Sequence, residues 1–368
     1  MTDDSSQVAV WMQHAIDLAE KGRGYVEPNP MVGCLIIRNG SIIGAGFHEQ
    51  FGRSHAEVNA LDHCSESPIG ATAVITLEPC CHQGKTPPCT DALIQAGISK
   101  VIIGHPDPFP KVNGSGIEQL KGAGIEVQMG PLQSAIARQN SGFFKRVTQK
   151  SPWCIAKWAM TLDGNIATQT GDSQWISNPA CRKIVHQLRG QMDAVIVGSG
   201  TACTDDPSLS ARPAGARRAT RIVFDSKGTL DVQSKLCQSA RDIPVLVVVD
   251  PRQANQNRLA ELKKNGVNIF ECEAGYVDRV PMVLNQLGEL DMTNVLLEGG
   301  GRLLGEFFEA NSIDEAHVFI APTLIGSGQE PIQTQTPGAA ADQIAKGKHL
   351  KDVVIQQVDG NVHVRGFV

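Results

Sequence analysis

The chain has 368 residues, more than one hydrophobic core usually spans, so two domains are expected. A hydrophobic content of 41% and a charged content of 19% are ordinary for a globular protein. Its 33 basic and 38 acidic residues leave a formal charge of −5, which argues against a duplex nucleic-acid partner but leaves room for a local basic pocket around a phosphate.

In chain order, the opening "MTDDSSQVAVWMQHAIDLAEKG" is acidic and then amphipathic. It lacks the basic start and apolar core of a signal peptide, and no apolar run is long enough to span a bilayer. The expected compartment is the cytoplasm, with no membrane partner. Val10, Trp11, Ala15, Leu18 and Ala19 have helical spacing. "MVGCLIIRNGSIIGAGFH" is two apolar runs around Asn39-Gly40, a hairpin signal. "HAEVNALDHC" predicts a helix, and "TAVITL" a buried strand that runs into "EPCCHQGKTPPC". Thr90 is placed to cap the helix "DALIQAG", which Gly97 ends. The strand "KVIIGH", the helix "GIEQLKGAG", the strand "IEVQM" and one closing helix, "PLQSAIARQNSGFFKRV", complete residues 1–150. Such alternation implies a sheet with helices on its faces.

The polar "TQKSPW" marks the boundary, with residues 151–368 as the second domain. "WCIAKWAM", "DAVIVGSG", "TRIVFDS", "IPVLVVVD", "VNIFEC", "NVLLEGG" and "EAHVFIAPTLIG" predict strands, several separated by helices. One helix is capped by Ser177 or Asn178, with Pro179 in its first turn. The terminal "DVVIQQVDGNVHVRGFV" is a second hairpin turning at Asp359-Gly360.

Ten cysteines are too dilute for a disulfide scaffold. Cys34, Cys64, Cys154, Cys181, Cys203, Cys237 and Cys272 are scattered singly and read as small buried hydrophobes. The cluster Cys80, Cys81 and Cys89 differs. With His55 upstream, Cys80 and Cys89 make a three-ligand zinc set that leaves a fourth position for water, the catalytic rather than the structural pattern. "HAE" followed by "EPC" matches the start of the zinc nucleobase-deaminase signature, in which Glu57 shuttles protons without binding the metal. A closed structural site would need Cys81 as fourth ligand, although adjacent cysteines rarely ligate one ion comfortably.

"PNPMVG", "GAGFHEQFGRSHAEVNAL" and "TLEPCCHQGKTPPC" resemble the deaminase domain of the bifunctional riboflavin-biosynthesis deaminase–reductase family. The resemblance implies a cytidine-deaminase-like α/β/α domain with His55, Cys80 and Cys89 as zinc ligands and Glu57 as the proton shuttle. It also implies that Asn29, His82, Lys85 and Asp107 hold a pyrimidine ribonucleotide. His48 fits the motif without an assigned role. The chain departs from the family pattern at Cys81, where serine is frequent, and at Phe109, where "DPNP" is usual and a polar residue is replaced.

In the second half, "VLLEGGGRLLGEFF" reads as a strand, a glycine turn and a helix start, a geometry that suits a phosphate as well as a plain tight turn. Arg189 and Arg212 are candidates for phosphate clamping, or solvated surface arginines. "TLDGNIA", "VGSGT", "DDPSL" and "EGGG", in this order, are similar to the family's reductase domain. That similarity implies a dihydrofolate-reductase-like α/β fold using NADPH. It implies cofactor contacts from Ala159, Trp175, Thr201, Asp205, Ser226 and the turn Gly300, Gly301, Arg302, Leu303, Leu304 and Gly305. Substrate contacts are implied for Ser173, Leu209 and Glu298 together with Arg189 and Arg212. Lys157 and Asp205 are the proton-donor candidates.

The expectation is thus a two-step enzyme, zinc-dependent hydrolytic deamination followed by NADPH-dependent reduction of a ribosyl group to ribityl. Its partner would be a small nucleotide, and the family suggests a homo-oligomer, dimer or tetramer.

Overall fold

The structure is a computed structural model that describes residues 4–85, 87–110 and 112–368. The chain divides into two compact units, Met1–Lys150 and Ser151–Val368. No helix among the described residues is long and apolar enough to cross a membrane.

The first unit opens with helix α1 (Asp4–Glu20) and the hairpin β1 (Gly33–Arg38) and β2 (Ser41–Phe47). Asn39 and Gly40 both take positive φ, 50° and 78°, the turn that matches the natural twist of a two-residue hairpin. Helix α2 (Ala56–Asp62), strand β3 (Thr72–Leu77), helix α3 (Cys89–Gln95), strand β4 (Lys100–His105), helix α4 (Ser115–Gly122) and strand β5 (Glu126–Met129) follow. The sheet order is β2-β1-β3-β4-β5, antiparallel through β3 and parallel beyond it. Side chains alternate across the sheet. Ile36, Ile75 and Ile103 face α2, α3 and α4, whereas Leu35, Val74 and Ile102 face Met12 and Ala15 of α1. Buried on both faces, the central strands read as near-continuous apolar runs.

The single closing helix predicted from residue 131 onward is two helices, α5 (Gln133–Gln139) and α6 (Ser141–Gln149). Buried Asn140 interrupts them: its side chain accepts from the Met31 N–H at 2.8 Å and donates to the Met31 carbonyl at 3.0 Å. That long-range pairing pins the "PNPM" loop and overrides the local helical pattern. Thr90 is also not a cap. It lies inside α3, whose N-cap is Pro88, and its hydroxyl bonds the Cys80 carbonyl and Gln119 instead.

The second unit is built on nine strands: β6 (Trp153–Thr161), β8 (Ala194–Gly198), β9 (Thr220–Phe224), β10 (Val245–Val249), β11 (Asn268–Glu271), β12 (Asn294–Leu297), β13 (Glu315–Ala321), β15 (Lys351–Val358) and β16 (Asn361–Phe367). Their order is β11-β10-β9-β8-β12-β6-β13-β16-β15, parallel from β11 to β13 and antiparallel at the closing hairpin. Two short strands, β7 (Ala167–Thr168) and β14 (Gly328–Gln329), form a separate pair. Helices α7 (Pro179–Arg189), α8 (Ser199–Asp205), α9 (Lys235–Gln238), α10 (Gln256–Lys264), α11 (Arg279–Glu289) and α12 (Gly301–Glu309) connect them. Asn178, rather than Ser177, caps α7, accepting from the Cys181 N–H at 2.8 Å. One face of the sheet packs on α9 and α10 through Leu236, Leu259 and Leu262, and the other on α11 and α12 through Val283, Leu287 and Phe307.

Five of the seven scattered cysteines are buried as expected, but Cys203 is exposed and Cys64 only partly covered. Cys64 packs against the core of the first unit with its thiol donating to the Ala60 carbonyl at 3.4 Å, whereas Cys203 meets water.

Candidate metal centre and cofactor cleft

In the first unit three chain segments converge. His55 is the N-cap of α2, Cys80 follows the Glu78-Pro79 exit from β3, and Cys89 opens α3. Helix α2 can lie this close because Gly46 of β2 faces it; a Cβ there would meet the Ala60 nitrogen at 2.4 Å. The His55 Nδ1 is 3.6 Å from Cys80 Sγ and 3.4 Å from Cys89 Sγ, and all three donor atoms lie within 4.8 Å of one another. A tetrahedral zinc with bonds of about 2.0–2.3 Å has edges of about 3.5–3.8 Å. The donor set therefore fits zinc in spacing and chemistry. Cys81 and Glu57 are outside this cluster.

The Cys89 backbone N–H donates to Cys80 Sγ at 3.4 Å. The Cys80 thiol is pulled down to about 4, first by the hydrogen bond from Cys89 and then by His55. Cys89 is pushed well up, first by its hydrogen bond to Cys80 and then by burial. Glu57 is 3% exposed, and burial, then the charge of Cys80, push its carboxyl above the usual range. A buried carboxylate with raised basicity is suited to taking and returning a proton.

The motifs assign no role to His48 and do not single out Glu78, yet both shape the site. His48 is buried and its ring stands edge-on to His55, 5.0 Å between centroids. Its Nδ1 donates to the Ser54 carbonyl at 3.1 Å, leaving Nε2 to accept from Asn29 Nδ2 at 3.4 Å. His48 thus links Asn29 to the segment that presents His55. The Glu78 carboxylate accepts backbone N–H bonds from Asp107, Gly114, Gly116 and Ile117 at 3.0–3.3 Å. It ties the Asp107 loop to the strand end that carries Cys80. Asp107 is buried, its carboxyl raised to about 7 chiefly by that burial, and Oδ1 accepts from the Phe109 N–H at 2.8 Å. Only "EPC" in the motif signalled Glu78; nothing in the sequence showed its four distant partners.

In the second unit a cavity of about 1850 Å³ opens along the carboxyl ends of β8, β9 and β12, where open parallel sheets bind ligands. Ala159, Ser173, Trp175, Arg189, Thr201, Asp205, Leu209, Arg212, Ser226 and Glu298 all line it, as does Lys157. Gly300, Gly301, Arg302 and Leu303 line it too, but Leu304 and Gly305 do not. The glycine turn is shorter than the expected six residues. Helix α12 already starts at Gly301, so Leu304 turns into the core and Gly305 packs against Gln333. Lys157 Nζ lies 3.9 Å from Glu298, and burial lowers its pKa against the opposing pull of that carboxylate. The lining also includes His186 and an ion pair between Arg279 and Glu306, neither marked by a motif.

Residues 152–364 match the family described as RibD C-terminal domain, and residues 5–105 the cytidine and deoxycytidylate deaminase zinc-binding region. The chain is 41% identical to riboflavin biosynthesis protein RibD of Actinobacillus pleuropneumoniae over 345 residues, 93% of this chain and 90% of that one. The chain belongs to the RibD family. The RibD of Escherichia coli strain K12 is 35% identical, with 96% of this chain and 97% of that one covered. Among solved structures, RibD from Acinetobacter baumannii superposes with a TM-score of 0.86 at 34% identity, covering 99% of both chains. A Thermotoga maritima protein described as a diaminohydroxyphosphoribosylaminopyrimidine deaminase/5-amino-6-(5-phosphoribosylamino)uracil reductase superposes at 0.84 with 33% identity, again over 99% of both. RibD proteins are bifunctional deaminase–reductases of riboflavin biosynthesis. The fold is accordingly a cytidine-deaminase-like domain followed by a dihydrofolate-reductase-like one. The first domain belongs to a zinc-binding class, and the reductase family implies a nicotinamide cofactor.

Proposed function

We propose that residues 1–150 hydrolyse the ring amine of 2,5-diamino-6-(5-phosphoribosylamino)pyrimidin-4(3H)-one, and that residues 151–368 reduce the ribosyl group of the product to ribityl with NADPH. The spacing of His55, Cys80 and Cys89 beside buried Glu57 carries this reading. The three side chains would hold zinc, which when bound supplies hydroxide near neutral pH. Glu57 takes the proton of the attacking water and delivers it to the amine, which leaves as ammonia. Asn29, His82, Lys85 and Asp107 hold the nucleotide. Phe109 leaves the turn beyond Asp107 intact, since the bond it makes there is through its backbone.

In the second unit NADPH, when bound, supplies the hydride to C1 of the ribosyl group. Ala159, Trp175, Thr201, Asp205, Ser226 and the turn from Gly300 to Leu303 would hold it along the cleft. Ser173, Leu209 and Arg212 would hold the phosphorylated substrate, with Arg189 oriented by Glu298. Lys157, half-buried beside Glu298, has the position of a proton donor to the opening ring.

Purified protein incubated with the diamino nucleotide should release ammonia without NADPH and consume NADPH only once deamination has occurred. Loss of NADPH without ammonia release, or neither signal, would overturn the assignment.

A further inference from the structure

Two side chains proposed to hold the nucleotide, Lys85 and His82, sit on the loop between Cys80 and Cys89, and each meets an aromatic ring from a different loop. The Lys85 ammonium lies 3.9 Å from the ring centroid of Phe51, well within cation–π range. Phe51 belongs to the segment running from β2 to His55, so the contact joins the two stretches that deliver the metal-ligating side chains. Lys85 makes no ion pair among the described residues, and its charge is left for an anion. On the other side, the Phe109 ring is 6.1 Å from the His82 ring, tilted by 52°. His82 Nδ1 is buried with no hydrogen-bond partner among the described residues. A buried nitrogen without a partner is costly unless a ligand supplies one.

We propose that Phe51 and Phe109 are positioning residues of the deaminase site: their rings seat Lys85 and His82 so that the ammonium meets the substrate phosphate and the imidazole meets a polar atom of the nucleotide. Lysine carries four rotatable bonds and pays heavily in side-chain entropy when it must find one geometry on binding. A ring already under the ammonium removes part of that cost before the substrate arrives. Phe109 contributes to the turn through its backbone, its N–H donating to Asp107 and its carbonyl accepting from the Val112 and Asn113 N–H groups, which leaves its side chain for His82.

The inference rests on the reading that Lys85 and His82 hold the substrate, and a double-mutant cycle separates the two. Deamination kinetics with the diamino nucleotide would be measured for Phe51→Leu, Phe51→Tyr, Lys85→Ala and the Phe51→Leu/Lys85→Ala pair, with zinc content and NADPH oxidation as controls. Phe51→Leu should raise KM about two- to fivefold with kcat, zinc content and reduction unchanged, and Phe51→Tyr should restore KM. Lys85→Ala should raise KM about tenfold or more, and the double variant should be no worse than Lys85→Ala alone. If Lys85→Ala raises KM while Phe51→Leu does not, or if the two effects add, the seat is refuted and the lysine's role stands. If Lys85→Ala is without effect, the lysine's role falls and the Phe51 seat with it. Phe109→Leu and His82→Ala form the parallel cycle, judged by the same outcomes. A drop in zinc content in the phenylalanine variants would mark them as structural supports of the metal loop and overturn the proposal.

Discussion

The guanidinium of Arg189 grips the carboxylate of Glu298 through two nitrogens, Nε to Oε1 at 2.6 Å and Nη2 to Oε2 at 2.9 Å. The sequence suggested that both touch substrate; in the structure they first hold each other, with Lys157 3.9 Å from the same carboxylate. The pair lines the cavity and is not fully buried, so removing one member leaves an uncompensated charge at a cost below the ~3–5 kcal/mol of a fully buried pair. Glu298→Gln should therefore destabilise the second unit by about 1–2 kcal/mol in urea unfolding. It should also slow reduction far more than it weakens NADPH binding, because Arg189 and Lys157 both lose their partner. Unchanged stability would show that the pair is not the organising contact of this cleft.

Glu57→Gln keeps the size of the side chain but cannot carry the proton. Ammonia release should fall by about 10²–10⁴-fold while zinc content and the reduction of already deaminated substrate are retained. Wild-type deamination in this variant would remove Glu57 from the mechanism.

Arg212 lies exposed in the rim of the second cavity, a place for an anion rather than for folding. Arg212→Ala should raise KM for the phosphorylated substrate about tenfold or more, with KM for NADPH little changed. The reverse pattern would move Arg212 to the cofactor.

Chelation should separate the activities. Stripping zinc should abolish ammonia release and leave NADPH oxidation with deaminated substrate intact, since no metal-binding cluster other than His55, Cys80 and Cys89 exists among the described residues. Readdition of zinc should restore the first activity. Loss of both on stripping would show that the metal also supports the reductase.

His363 adds a pH dependence to stability. Its Nε2 is 3.1 Å from His317 Nδ1, its ring stacks on Phe319, and burial pulls its pKa down from 6.5 to about 4. His317 and Arg365 push in the same direction, and Glu315 opposes them. Between pH 6.5 and 4 the unfolded chain binds a proton here that the folded one refuses, so stability is full above pH 6.5 and declines as the pH falls through that window. Thermal melting of His363→Gln should show a shallower acid decline, with the gap to wild type at pH 4.5 smaller than at pH 7.5 by about 2–4 °C. Parallel melting curves would refute the assignment.

The sequence by itself determined which segments are strands and helices, because a period of two or of 3.6 in apolar residues is a local property. It also carried the chemistry of the metal centre: His55, Glu57, Cys80 and Cys89 are marked by residue type and spacing, and their motifs pointed to the family that the comparisons then showed. What it could not carry were contacts between residues far apart in the chain. Asn140 breaks a helix to bond Met31, and Glu78 collects four N–H groups from residues 107–117. His48 connects Asn29 to the His55 segment, Arg189 turns to Glu298, and Phe51 lies under Lys85. Each depends on where two loops or helix ends meet once the sheet is assembled. No local periodicity encodes that meeting, because the free energy that fixes it arises only when both partners leave water together.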